Sequence, residues 1–202
     1  MSFMRETLKA ILSSCKSGLE GSSCPVNRRT VIAYWLIPTE PAYSSFQKII
    51  NDFAGRYDAP VFEPHVTIHV GPVHAAAASR ALRDAAHECT RITLEPTRID
   101  QSEEFVKTLF VEFAMTAELR QLNEAIRNAG NDSSQYELKP HLSLLYKKMP
   151  TETRRGLAAC VQVSFRNVAF SVIKAVRCIS PTQCRRDVEA WRIVEALSLR
   201  DR

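Results

Sequence analysis

Pro64-His65-Val66-Thr67-Ile68 and Pro140-His141-Leu142-Ser143-Leu144 carry one pattern twice: proline, histidine, aliphatic, hydroxyl, aliphatic. A β-strand sends successive side chains to opposite faces. Each histidine therefore shares a face with the hydroxyl two residues on, while Val66, Ile68, Leu142 and Leu144 turn into a core. Ten prolines and five histidines in 202 residues predict roughly 0.25 Pro-His pairs by chance, whereas two occur and both continue alike. Two half-buried strand histidines beside hydroxyls are the plain alternative, and the duplication weighs against it.

Strands and helices alternate around the motifs. A β-branched and aromatic strand is predicted over residues 30–38, stopped by proline. An amphipathic helix over 43–56 follows, with Phe46, Ile49, Ile50 and Phe53 at helical spacing. The first His strand takes 65–70 and ends at Gly71-Pro72; an Ala-rich helix spans 74–89. Strands over 92–99 and 106–113 flank the polar Gln101-Ser102-Glu103-Glu104. Leu119, Leu122 and Ile126 stripe a helix over 116–129, with Gly130-Asn131 as its stop. The second His strand covers 139–146, and Pro150-Thr151 opens a short helix to Cys160. Strands over 162–170, 173–179 and 188–196 close the chain. Without regular βαβ alternation this is an α+β fold with largely antiparallel sheets. Strand, helix and His strand succeed one another in 30–70 and again in 106–146. A duplicated lobe of that kind sets the two His strands side by side about a pseudo-twofold axis, with both imidazoles in one cleft.

Composition narrows the class. Hydrophobic content of 45% and charged content of 24% are ordinary for a globular chain. The longest apolar run, residues 31–37, is far too short to cross a bilayer, and no signal-peptide core opens the sequence. A cytoplasmic protein with no membrane partner is expected. Net charge is +5, but the first 30 residues hold five basic and two acidic side chains, so the remainder is close to neutral. That suits a small phosphorylated substrate better than a long nucleic acid. Six cysteines include no C-x-x-C pair, which removes zinc-ribbon and thioredoxin readings. Free thiols are expected in the cytosol; Cys178 and Cys184, flanking a Ser-Pro turn, are near enough in sequence to meet. Residues 1–29 read as a flexible or loosely docked extension, 30–197 as the working domain and 198–202 as a tail.

Metal and nucleophile chemistries fit poorly. His65 and His69 lie four apart, which on a strand separates them by about 13 Å, too far for one ion. No G-x-S-x-G elbow or glycine-rich phosphate loop is present, and six glycines leave little room for either. Ser143 next to a histidine imitates a serine nucleophile, yet the hydroxyl appears in both copies, and duplicate nucleophiles make little chemical sense. Phosphodiester chemistry by two histidines uses all four groups. A neutral His takes a proton from the attacking water or ribose hydroxyl, and a protonated His gives one to the leaving oxygen. Thr67 and Ser143 donate to the non-bridging oxygens. No metal or cofactor is needed.

The paired H-x-[ST]-x motifs resemble the signature of the 2H phosphoesterase superfamily. Within it, Phe62-Glu63-Pro64-His65-Val66-Thr67 and Lys139-Pro140-His141-Leu142-Ser143-Leu144-Leu145-Tyr146 resemble the motifs of the cyclic phosphodiesterase group of plants and bacteria. Tyr34-Trp35-Leu36-Ile37-Pro38 resembles its opening strand and residues 105–113 its aromatic middle strand, so the likeness covers about residues 30–197. The resemblance implies a bilobed fold, two mainly antiparallel sheets facing a central cleft with helices outside. It implies a monomeric hydrolase of ribose cyclic phosphates: nucleoside 2′,3′-cyclic phosphates and ADP-ribose 1″,2″-cyclic phosphate from tRNA splicing. Relatives in the superfamily act on RNA 3′ ends, as cyclic phosphodiesterases or 2′–5′ ligases. That alternative stays open, as does an inactive nucleotide-binding module.

His65 and His141 match the family's catalytic pair, and Thr67 and Ser143 its phosphate ligands. Tyr146, Trp35 and Phe105 match positions that border the nucleoside. Tyr146 is five residues past His141, so it reaches the cleft only if a bulge or strand end intervenes; otherwise it packs in the core. Trp35 is a cleft residue or an ordinary core aromatic. Lys107 departs from the family pattern, and a phosphate contact and a solvated strand edge both fit it. His69 shares the catalytic face by parity and suits the cleft rim. His74 and His87 are assigned no role.

Overall fold

The computed structural model describes residues 28–72, 75–130 and 136–201. Residues 1–27 of the expected extension lie outside the described residues, as does His74. The elements run β1 (Arg29–Pro38), α1 (Ala42–Tyr57), β2 (Val66–Gly71), α2 (Ala75–Glu88), β3 (Ile92–Leu94) and β4 (Pro96–Gln101). A 3-10 turn (Phe105–Lys107), β5 (Leu109–Phe113), α3 (Ala117–Ala129), β6 (His141–Leu145), α4 (Thr151–Cys160), β7 (Val168–Ser180), α5 (Arg185–Glu189) and β8 (Arg192–Ser198) complete the order. None of the described helices is long and apolar enough to cross a membrane.

Eight strands form one antiparallel sheet in the order β3-β7-β1-β2-β6-β5-β4, with β8 on the same edge of β7 as β3. The two sheets expected of two lobes meet edge to edge at a single rung, Val66 opposite Leu142. On one side lie β7, β1 and β2; on the other, β6, β5 and β4. Strand, helix and His strand recur as β1-α1-β2 and β5-α3-β6. The pseudo-twofold arrangement therefore brings the His strands side by side.

Burial explains which residues build the sheet. In β1, Ile32, Tyr34 and Leu36 enter the main core under the long helices. Val31, Ala33, Trp35 and Ile37 pack on the opposite face with Val176 and Cys178. Both faces are covered, which is why this strand is an unbroken apolar run. Helix α1 buries Phe46, Ile50 and Phe53, each contributing about 1.5–3 kcal/mol of transfer free energy. It ends where Asp58 adopts φ 48° and returns its N–H to Ala54, a left-handed stop that aspartate tolerates. Helix α3 starts at Thr116, whose hydroxyl accepts the Leu119 N–H at 3.2 Å.

Several expectations need correction; the strand predicted over 92–99 is two, β3 pairing with β7 and β4 with β5. The strand predicted from residue 106 begins at Leu109, because tertiary hydrogen bonds fold Phe105–Lys107 into a turn. Strands predicted over 162–170 and 173–179 are one strand, β7, preceded by irregular chain. The strand predicted from 188 is first a helix, α5, nucleated by Asp187. Its buried carboxylate accepts the N–H groups of Gln183 and Cys184 at 2.8 and 3.2 Å and pairs with Arg28 at 2.8 Å. The expected tail is also docked in part: Leu199 is buried and bonds Ser171, and Arg200 bonds Cys89 and Arg91. Cys178 and Cys184 are free thiols.

Candidate active site

Both motifs are built by the same local device. His65 Nδ1 lies 2.6 Å from the Glu63 carbonyl, and His141 Nδ1 lies 2.7 Å from the Lys139 carbonyl. A proline stands between ring and carbonyl each time, and the residue before a proline is held in extended backbone. A carbonyl only accepts, so each neutral ring carries its proton on Nδ1 and keeps the lone pair on Nε2. The two imidazoles thus present the same nitrogen for exchange.

A bulge follows each hydroxyl. Across β1 and β2, Trp35 opposes Thr67 but Tyr34 opposes His69, so Ile68 is the extra residue. Across β5 and β6, Phe110 opposes Ser143 but Leu109 opposes Leu145, so Leu144 is the extra residue. Each insertion reverses the alternation beyond it. In β6 this turns Leu144 and Leu145 into the core and Tyr146 to the cleft. In β2 it corrects the parity argument for His69, which is 1% exposed and faces the helices beside Tyr34, Ala78 and Ile126 instead of the cleft.

One cavity of about 570 Å³ is lined by His65, Thr67, His141 and Ser143. Trp35, Tyr146, Phe105 and Lys107 share its walls. Trp35 stacks on His65 with centroids 3.8 Å apart and planes at 13°. Phe110, its counterpart in the second lobe, meets His141 edge-on at 5.5 Å. Tyr146 stacks on Phe62 at 3.7 Å, and its hydroxyl bonds Ser143. Ser143 in turn donates to the Val106 carbonyl at 2.7 Å. Lys107 Nζ sits 4.7 Å over the Phe110 ring, in the 3-10 turn and not on a strand edge.

Burial sets the electrostatics. Desolvation pushes His65 down to about 4, with the charges of His141 and Lys174 acting in the same direction against its bond to Glu63. Desolvation also lowers His141, helped by Lys107 and opposed by its Lys139 bond and by Glu104 and Glu112. Burial raises the Tyr146 phenol well above its ordinary value. The Cys178 thiol, also on the cavity wall, is pushed up to about 12, which leaves it an inert apolar surface. Among the described residues, no group of three or more His, Cys, Asp or Glu is arranged to hold a metal ion.

Several wall residues had no signal in the sequence. Trp191, in the turn between α5 and β8, stands edge-on to Trp35, His65 and Tyr146 at 5.1, 6.1 and 6.0 Å. Tyr136 lines the cavity and donates to the Thr67 carbonyl at 3.4 Å. Lys148 and the lip from Ile179 to Gln183 complete the rim. No motif or periodicity ties these positions to the histidines.

The family model described as "Cyclic phosphodiesterase-like protein" matches residues 30–199. The chain belongs to this family. A cyclic phosphodiesterase of Arabidopsis thaliana is 24% identical over 176 residues, covering 85% of this chain and 97% of that protein. Among solved structures, E. coli LigT complexed with 3′-AMP superposes with a TM-score of 0.57 at 14% identity, covering 84% of this chain and 98% of that one. A structure described as a phosphoesterase gives 0.55 at 14% identity, covering 86% and 100%. These likenesses carry the fold, and the matched cyclic phosphodiesterase family makes the chain a phosphodiesterase of the 2H superfamily.

Proposed function

We propose that this cyclic phosphodiesterase-like protein hydrolyses cyclic phosphates on the ribose of small nucleotides by two-histidine acid/base catalysis. The observation that carries the reading is the matched pair of Nδ1-anchored imidazoles, contributed by adjoining strands to one cavity. The phosphate sits between them, with Thr67 donating to one non-bridging oxygen and Ser143 turning its single proton from the Val106 carbonyl to another. One neutral imidazole takes a proton from water as that oxygen attacks phosphorus. The other, charged, delivers a proton to the ribose oxygen as its bond to phosphorus breaks, giving a phosphomonoester and a free hydroxyl. Lys107 adds positive potential at the rim, and Phe105 and Tyr146 border the nucleoside. Trp35 acts mainly as the support on which His65 rests, since one of its faces is taken by that ring.

The test is hydrolysis, with a chelator present, of 2′,3′-cyclic AMP, ADP-ribose 1″,2″-cyclic phosphate and a short RNA ending in a cyclic phosphate. Turnover of the first two supports the proposal; turnover of RNA alone favours an RNA-end enzyme, and binding without product a nucleotide-binding module. His65→Ala and His141→Ala should each lower kcat by about 10²–10⁴ while circular dichroism stays unchanged. Hydrolysis retained in the double variant refutes the assignment.

A further inference from the structure

Lys174 belongs to neither motif, yet it reaches the backbone that holds one of them. It stands opposite Trp35 in the β1–β7 register. Its Nζ donates to both carboxylate oxygens of Glu63, at 2.6 and 2.8 Å. The two side chains are only 15% and 24% exposed, and the Tyr43 hydroxyl lies 3.5 Å from the same carboxylate. Glu63 is the residue whose carbonyl takes the His65 Nδ1 proton. Its side chain is thus clamped from β7 while its main chain orients the ring.

Among the described residues the second lobe has no such clamp. Lys139 supplies the carbonyl for His141, but its side chain pairs with Glu137 in the open, 64% and 74% exposed, where solvent leaves little of the attraction. The pseudo-symmetry is broken at the support and not at the ring. We propose that Lys174, through its ion pair with Glu63, is a positioning residue that fixes the His65 ring for proton exchange. The proposal rests on the two-histidine reading of the site.

The charges around His65 set the sign of the test. His141 faces it from β6, Lys174 from β7 and Glu63 from the segment before β2, with Tyr43 of α1 behind the pair. Cys178 and Trp191 border the same cavity without charge. Lys174→Met leaves the Glu63 carboxylate unpaired, which favours a proton on the ring. Glu63→Gln leaves the ammonium unpaired, which disfavours one. Opposite shifts are therefore the mark of an electrostatic clamp; a merely structural role gives none.

The experiment combines kinetics on 2′,3′-cyclic AMP with nitrogen-15 NMR of the His65 ring. Lys174→Met should lower kcat about 10- to 100-fold, as small misplacements of reacting groups do, with KM within about twofold. It should move the acid limb of kcat and the ring titration upward and weaken the Nδ1–H signal. Glu63→Gln should move the titration downward, and Lys174→Arg should restore most of the wild-type rate. If Lys174→Met does not fold, the downward shift in Glu63→Gln and the wild-type titration in Lys174→Arg decide. Wild-type kcat and an unmoved ring in Lys174→Met overturn the proposal, as do shifts of the same sign in both variants. Should the wild-type protein hydrolyse no cyclic nucleotide, the functional reading fails, and the ring titration still reports on Lys174.

Discussion

An imidazole whose Nδ1–H is held by a carbonyl has a single nitrogen left to titrate, and its surroundings fix where. Both rings are pushed below the ordinary histidine value, His65 to about 4. Lowered values mean that protons leave early as pH rises. The free protein holds one charged and one neutral ring only between the two lowered values of the pair. The profile of kcat/KM for 2′,3′-cyclic AMP should therefore peak on the acid side of about 6.5 and decline above it. In the complex, the anionic phosphate favours the charged ring, so the alkaline limb of kcat should lie at higher pH than that of kcat/KM. Coincident limbs, or a peak well above neutrality, contradict these surroundings. His65, Thr67, His141 and Ser143 were all legible because a repeated tetrapeptide marks them. Trp191 and Lys174 were not, since each reaches the site only through strand pairing or packing with distant segments.

At the scale of elements, alternation held until the bulges. No glycine or proline marks Ile68 or Leu144 as an extra residue, so strand parity alone puts His69 on the cleft face from which the bulge turns it. The corresponding irregularity in β6 brings Tyr146 to the cleft. The start of β5 is hidden in the sequence for a related reason: Phe105-Val106-Lys107 alternates like a strand, yet its carbonyls are claimed from outside. Ser143 takes Val106, and Ser102 takes Lys107. Thr108, 1% exposed, is the hub of that turn. Its hydroxyl lies 2.8 Å from the Lys147 carbonyl and 3.0 Å from that of Phe105, and accepts the Lys147 N–H at 3.0 Å. Thr108→Val keeps the shape and orphans these groups. It should cost about 1–3 kcal/mol in urea denaturation; a loss below about 0.5 kcal/mol would show that water takes over the hydroxyl's work.

For the molecule as a whole, the burial that tunes His65 also ties stability to pH. Its folded value is about 4 against about 6.5 in an unfolded chain. Between these values the unfolded state binds a proton that the native state refuses, so stability falls as pH drops through the window. The loss from pH 7 to pH 4.5 should be on the order of 2–3 kcal/mol from this residue, with His141 adding in the same direction. His65→Gln should flatten that part of the slope in urea titrations at the two pH values; an equal slope in wild type and variant contradicts the linkage. The overall α+β architecture and the side-by-side His strands followed from the duplicated order of elements, but the register of their join did not, because one rung leaves no mark in either strand. That rung, Val66 against Leu142, has a further outcome. In the proposed mechanism the donor and the recipient of the reaction's protons, His65 and His141, belong to separate halves of the body. A slip at that rung alters their spacing even while the hydrophobic core that both halves share stays closed. Turnover should then be the first property to fade under mild denaturing stress, ahead of every spectroscopic measure of order.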